Sequence, residues 1–442
     1  MVGAGPAGTA AAITLARAGR DVLVVDRARF PRDKCCGDGL TVGALRQLEA
    51  LGLRPDAVAD WQRVDDVCVR GPSGHAVRFP LPRGEGLFAV VTPRQQLDAA
   101  LVGAARSAGA TVADGHRLTG AVVRDDGIDL EVDGLGTIGA GYAIGADGAW
   151  SPLRHALGAA EPGYLGDWHA FRQYFCDVGP AAGDLWVWFE PDLLPGYAWS
   201  FPLPGGRANV GFGIQRGAGI PVRDMKDLWP ALLARPHVRD VLGGAARPES
   251  PHKAWPIPAR VDRVPLTAAG GRALFAGDAA CASDPMTGEG IAQALVTGRR
   301  AAEAVLAAGP ARPDLAASRY RADVRRDLFA DHRMSVLLNR ALKHRKGVRI
   351  ALRVAGSTSW TRGNFARWLF EDYPRAVVVT PGRWRRGMLS GPGAYEAPSE
   401  PERTGHRLVL AHDRQREPPS TSHEGTVRAG RPALPHRLLS ER

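Results

Sequence analysis

The chain opens with an abrupt change of hydrophobic period. Small apolar residues fill a helix-length block from Ala7 to about Ala18, closed by Gly19, and Val22-Leu23-Val24-Val25 then runs unbroken to Asp26. A helix followed by a strand without polar alternation predicts a parallel sheet buried on both faces. Ala273-Leu274-Phe275-Ala276 repeats that strand pattern, whereas Ile128–Asp133 alternates as a half-exposed strand does. Trp186-Val187-Trp188-Phe189 and Val210-Gly211-Phe212-Gly213 predict further strands, and the alternation of Tyr197, Trp199 and Phe201 puts all three rings on one strand face. Between Tyr320 and Arg353, apolar Val336, Leu337, Leu338, Leu342, Ile350 and Leu352 are interleaved with basic residues, predicting amphipathic helix. Beyond Arg383 the periodicity stops and Pro, Gly and Ser dominate, so 383–442 is expected to be a disordered tail.

Three glycine- and aspartate-bearing motifs sit on this pattern. The first, Gly3-Ala4-Gly5-Pro6-Ala7-Gly8, precedes the first helix. Gly3 permits a tight turn out of a strand, Gly5 lets backbone N–H groups approach a pyrophosphate, and Gly8 allows close helix–strand packing. Asp26 ends the second strand about 20 residues later, where a carboxylate accepts ribose hydroxyls, with Arg27 beside it. The second motif is Gly145-Ala146-Asp147-Gly148, and the third is Gly277-Asp278-Ala279-Ala280 running into Pro285, Gly288, Glu289 and Gly290. Asp278 follows an apolar strand and is expected to accept a ribityl hydroxyl. The N–H groups at Gly288, Gly290 and Ile291 open a helix whose dipole can stabilise negative charge on a reduced flavin. The set predicts FAD.

Gly134-Leu135-Gly136-Thr137-Ile138-Gly139 fits the same glycine spacing but lies between two extended stretches, so it predicts a hairpin turn. At the other motif, Met1 and Val2 alone precede Gly3, where a strand would supply about five residues. Further apolar residues upstream are therefore expected to complete that strand.

Composition is that of a globular enzyme: 442 residues, 45% hydrophobic, with no apolar run near the roughly 18 residues of a membrane span and no signal segment. The five cysteines form neither a disulfide framework nor a zinc pattern, so no metal is expected and a reducing cytoplasm is. The net charge of +11 is uneven, since 320–353 holds ten basic residues against three acids. Such a face is either solvated or rests on anionic lipid headgroups, which would place the protein peripherally at the inner face of the cell membrane. No nucleic-acid fold accompanies it, and nucleic acid is not an expected partner.

These elements predict an α/β protein. A Rossmann-like FAD-binding domain occupies 1–60, 90–158 and 265–310. An inserted β-sheet substrate domain occupies 61–89 and 159–264, and a basic helical region 311–382.

Phe30-Pro31-Arg32-Asp33-Lys34-Cys35-Cys36-Gly37-Asp38-Gly39-Leu40 and Pro195-Gly196-Tyr197-Ala198-Trp199-Ser200-Phe201-Pro202 resemble two signatures of the geranylgeranyl reductase family. The resemblance covers roughly Met1 to Gly298. It implies a p-hydroxybenzoate-hydroxylase-like fold, and reduced FAD saturating isolated double bonds of a geranylgeranyl group or a menaquinone side chain. It places Cys36 and Gly37 near the flavin ring and the substrate, with Cys36 as the candidate catalytic residue and Cys35 standing where the family has proline. Tyr197, Trp199 and Phe201 would line the substrate pocket. Arg94, with Leu97, Asp98 and Leu101, resembles the helix whose arginine reaches FAD in related flavoproteins. NADPH or a ferredoxin-like protein would be the transient electron donor. The alternative on the same scaffold is a monooxygenase that hydroxylates or epoxidises a small molecule.

Overall fold

The computed structural model describes residues 1–396. Its parallel sheet is assembled from both ends of the FAD-motif sequence. Leu23–Asp26 pairs in parallel with Thr111–Asp114, and Ala143–Gly145 pairs in parallel with Ala273–Phe275. Val2 joins the two halves through parallel bridges to Val25 and Gly145. Met1 to Gly3 supplies the central ladder: Val2 N–H donates to Ile144 O at 2.9 Å and Gly3 N–H to Val25 O at 2.7 Å.

The helix Pro6–Arg17 packs between this sheet and the helix Ile291–Ala308. Their approach leaves no room for side chains: a Cβ on Gly298 would lie 2.0 Å from Ala7 O, and one on Gly8 1.9 Å from Gly3 O. Ile128–Val132 and Gly136–Ala140 form an antiparallel hairpin, with Gly134 and Gly136 in its turn at positive φ. The Gly134–Gly139 stretch is thus a hairpin turn, as its flanking strands predict.

A separate eight-stranded sheet draws its strands from 66–80 and 168–257. It is antiparallel except where Leu185–Trp188 runs parallel to Asp66–Arg70. One face is covered by the helices Met225–Leu233 and Pro236–Leu242, through Trp229, Leu232 and Val241 against Phe171 and Phe212. Over the other lie Arg345–Ala355 and Ser359–Leu369, whose Val348, Leu352 and Ala366 meet Val67, Val69 and Phe79. These helices bury part of their apolar residues against the sheet, while Ile350 and Val354 of Arg345–Ala355 and Trp360 of Ser359–Leu369 stay exposed.

Part of the expected tail is folded. Ala394 pairs with Leu87, Arg367 donates to Gly391 O, and Tyr395 packs edge-on against Trp61. These residues have no periodicity because they are held by backbone pairing and single anchors rather than by a repeating apolar face. The remainder of the expected tail, from 397 onward, lies outside the described residues.

Candidate active site

A cavity of about 1650 Å³ begins beside Gly3 and extends to the C-terminal helices. Single small-molecule pockets span roughly 300–1,000 Å³, so this one has room for a dinucleotide and a second, long ligand. Gly3, Gly5, Pro6, Ala7, Asp26, Arg27, Cys36, Gly37, Arg94, Asp147, Tyr197, Trp199, Phe201, Asp278, Gly288, Gly290 and Ile291 all line it. Of the candidate residues, Gly8 stands behind the wall as a packing glycine.

At the dinucleotide end, Gly5 caps the Pro6–Arg17 helix, whose first N–H groups have no intrahelical acceptor. The nearest atom to a Cβ built on Gly5 is Arg32 Nη2, 3.5 Å away, so the space above this turn is open. Arg32 Nη1 is buried 2.8 Å from Asp98 Oδ2 yet makes no aligned hydrogen bond. An underused guanidinium beside bare helix N–H groups suits a pyrophosphate. Asp26 is held by Ala4 N–H at 2.7 Å and Ala28 N–H at 2.8 Å, which leaves lone pairs for ribose hydroxyls. The residues fit FAD here.

Asp278 pairs with Lys34 at 2.8 Å. Burial pushes its carboxyl up, but Lys34 and Arg94 outweigh burial and hold it below the ordinary carboxylate range. Asp147 lines the cavity and is held by its own chain. Its oxygens accept Ser151 Oγ at 2.6 Å and Leu153 N–H at 2.9 Å, so it organises the start of the short helix Pro152–Ala156. Arg94 is likewise engaged, with Nε and Nη2 donating to Asp98 at 2.8 and 2.9 Å. At the Gly288–Gly290 end of the cavity, Ile291 and Ala292 N–H groups both donate to Glu289 Oε1 at 2.9 Å. The N–H of Ile291 is therefore taken within the chain, by a capping carboxylate two residues upstream.

The Cys36–Gly39 loop is held from the eight-stranded sheet. Asn209 Nδ2 donates to Cys36 O at 2.8 Å and to Asp38 Oδ2 at 2.7 Å, and Tyr174 Oη donates to the same carboxylate oxygen at 2.6 Å. Arg94 N–H reaches Asp38 Oδ1 at 3.2 Å. Burial pushes Asp38 up to about 6 against these bonds, and it keeps φ at +65°. The Cys36 thiol is raised by burial despite Arg94, so it stays protonated and is no thiolate nucleophile. Sequence reading missed Asn209 and Tyr174, because nothing local marks a strand residue that reaches a loop more than a hundred positions away, and it quoted Arg32 within the Phe30–Leu40 signature without assigning it a role.

Tyr197, Trp199 and Phe201 form a ladder with successive ring centroids 6.0 Å apart. A Cβ on Gly37 or Gly39 would lie 3.2 Å from Phe201 Cε2, so bare backbone is what lets the loop lie against these rings. Trp199 Nε1 donates to Asn209 Oδ1 at 3.1 Å, which ties the ladder to the network under Cys36. Trp199→Ala is expected to lower turnover of a prenylated substrate more than FAD content. Lost apolar contact is worth about 1–3 kcal/mol, whereas a purely core role predicts roughly 3–5 kcal/mol of destabilisation with parallel flavin loss. Flavin content, Tm and single-turnover rate on one preparation separate the two.

Residues 1–199 match the FAD binding domain family. The chain is 37% identical over 343 residues to a menaquinone reductase of Mycolicibacterium smegmatis, covering 70% of this chain and 76% of that protein. The chain belongs to the geranylgeranyl reductase family. Digeranylgeranylglycerophospholipid reductase 1 of Methanopyrus kandleri is 32% identical over 322 residues, covering 70% of this chain and 80% of its own length. A solved geranylgeranyl bacteriochlorophyll reductase-like protein from Thermoplasma acidophilum superposes with a TM-score of 0.72 over 87% of this chain and 98% of its own. At 20% identity that likeness speaks for the fold. Like its family, this protein is an FAD-dependent oxidoreductase.

Proposed function

We propose that the protein uses reduced FAD to saturate a carbon–carbon double bond in an isoprenoid chain, with the menaquinone side chain as the preferred substrate. The observation that carries this is the continuity of the cavity. From the flavin cradle it passes the Tyr197–Phe201 ladder and continues between Val69, Leu185 and Val187 of the sheet and Val348, Leu352 and Phe365 of the covering helices. A long apolar arm suits a prenyl chain and gives a small polar aromatic little to bind.

When bound, reduced FAD supplies hydride to one alkene carbon. The chain's residues do the rest. Gly5, Arg32 and Asp26 hold the dinucleotide, while the aromatic ladder and the Cys36–Gly39 loop position the double bond. An unpolarised alkene needs this proximity and a water-poor site. Among the described residues no second nucleotide fold is present, so NADPH or a ferredoxin-like protein would deliver electrons transiently.

Peripheral membrane contact is part of the proposal. No helix among the described residues is long and apolar enough to cross a membrane. Around the far end of the cavity, Val354, Trp360, Val378 and Trp384 are each at least 60% exposed. Arg345, Lys346, Arg349, Arg353, Arg385 and Arg386 lie near them in sequence, with no carboxylate in ion-pairing range among the described residues. An apolar mouth flanked by unpaired cations suits an anionic lipid surface from which a prenyl chain can enter.

Anaerobic incubation of the dithionite-reduced protein with menaquinone tests the activity. Mass spectrometry should show a gain of two hydrogens per reduced bond. Oxygen incorporated into a small molecule, with NADPH consumed, would instead establish the monooxygenase. Val187→Trp should narrow the apolar arm and lower turnover of long-chain menaquinone on the order of 10-fold or more. A short-chain analogue should be reduced at the unaltered rate, with equal flavin content.

A further inference from the structure

Saturating an alkene takes a proton as well as a hydride, and the groups around the ring end of the cavity are unequal candidates to give it. Tyr197 Oη is already spent, donating to Thr287 O. Asp278 is paired with Lys34. The Cys36 thiol sits beside Arg94 in the loop whose backbone Asn209 restrains.

Glu289 is different. It lines the cavity between Gly288 and Gly290, and its Oε1 is fixed by the two helix N–H groups of Ile291 and Ala292. Its Oε2 has no hydrogen-bond partner among the described residues. A carboxyl held by one oxygen and open at the other, inside the site, is aimed for proton delivery.

Behind it stands a second carboxyl. Gln293, one turn along the same helix, donates from Nε2 to Glu371 Oε1 at 2.9 Å, and Thr41 Oγ1 donates to Glu371 Oε2 at 2.9 Å. Glu371 holds φ at +61°, outside the usual range for a side-chain-bearing residue. Arg375 is shared by Asp284 at 3.2 Å and Glu371 at 3.4 Å, so one cation serves two carboxylates before Glu289 is counted. The charged and titratable groups facing Glu289 are thus Glu371 and Arg375 from the segment after the Ser359–Leu369 helix, Asp284 on its own loop, Cys36 from the flavin loop and Tyr197 from the sheet.

We propose that Glu289 is the catalytic acid, transferring a proton from Oε2 to one alkene carbon while hydride reaches the other, and that Glu371 keeps it protonated. This rests on the reductase reading above. The balance is closed: the alkene π pair forms the new C–H bond to the proton, reduced FAD gives up two electrons with the hydride, and the glutamate carboxylate regains its proton from solvent. Burial, then the like charge of Glu371, raises the Glu289 carboxyl far above the ordinary carboxylate range. The acid form therefore persists at neutral pH and is lost as pH rises through that raised value.

Glu289→Gln keeps an oxygen for the helix N–H groups and removes the proton. In the FAD-loaded variant, flavin content should match wild type, while single-turnover alkene reduction falls on the order of 100-fold or more. Infrared difference spectra of wild type minus variant, which need no turnover, should show a protonated carboxyl at neutral pH. Glu371→Gln, by removing the like charge, should move both the infrared titration and the falling limb of the rate profile to lower pH. An ionised Glu289 at neutral pH overturns the proposal, as does a Glu289→Gln rate within a few-fold of wild type. If wild type reduces no prenyl substrate while Glu289 titrates as described, it is the reductase reading that fails, and the catalytic role falls with it.

Discussion

Gly5→Val should give a folded protein that retains no FAD. The glycines of the first motif have different jobs, and the structure separates them. A Cβ at Gly3 would lie 2.3 Å from Ala146 O and one at Gly8 1.9 Å from Gly3 O, so side chains there collide with the chain's own backbone. At Gly5 the first obstacle is the end of a long side chain, Arg32 Nη2 at 3.5 Å, and φ is an ordinary −75°. The branched side chain is thus accommodated by the protein and excluded by the pyrophosphate, which must share that space with the helix N–H groups. Purified Gly5→Val should be colourless, with a Tm close to that of flavin-stripped wild type. Gly8→Val should fail earlier, as loss of soluble folded protein. Gly136→Val is the control: it sits in the hairpin at φ +73° with open space around it, so it strains the turn and leaves flavin absorbance intact. Equal flavin loss at Gly5 and Gly136 would mean that the Gly3–Gly8 turn is not the pyrophosphate site.

The difference between these positions also explains what could be read from the sequence. A glycine at a turn, an acid at the tip of an apolar strand and a ring ladder with period two are constraints set within a few residues, and they were legible. So was the distinction between the two glycine motifs, since a helix follows one and a strand the other. Asp147 belongs to one of the motifs that predict FAD and Ile291 opens the helix expected at the flavin, and each also has a hydrogen bond to a near neighbour, Ser151 in one case and Glu289 in the other. The Gly288-Glu289-Gly290 run held a usable signal, because an acid at a helix start caps its N–H groups. What no local pattern could supply are the pairings across the chain: Asn209 with Cys36, Tyr174 with Asp38, and Thr41 with Glu371. These form where the eight-stranded sheet and the C-terminal segment meet the flavin loop, and they are set by topology.

Ile350→Glu combined with Val379→Glu should abolish binding to anionic vesicles while sparing flavin content. Both side chains are more than 60% exposed, and neither lines the cavity, although each adjoins residues that do, Val354 and Val378. Inserting an aliphatic side chain of this size into the lipid interface is worth about 1.5–3 kcal/mol, so replacing two with carboxylates should lower vesicle affinity at least 100-fold. The basic residues act by another term. Each lysine or arginine near an anionic surface contributes about 1 kcal/mol and is screened by salt. Arg349→Ala with Arg353→Ala should therefore weaken binding on the order of 10-fold or more at low ionic strength and have a smaller effect at high salt. Sedimentation with phosphatidylglycerol–phosphatidylcholine vesicles measures both, and neutral vesicles should separate the apolar from the electrostatic share. Turnover supplies the functional arm. A short-chain quinone dissolved in water should be reduced equally by wild type and the double glutamate variant, whereas long-chain menaquinone presented in vesicles should be reduced by wild type alone. If the double variant sediments with vesicles as wild type does, the exposed residues are not the lipid contact, and the prenyl chain must enter the cavity by another route.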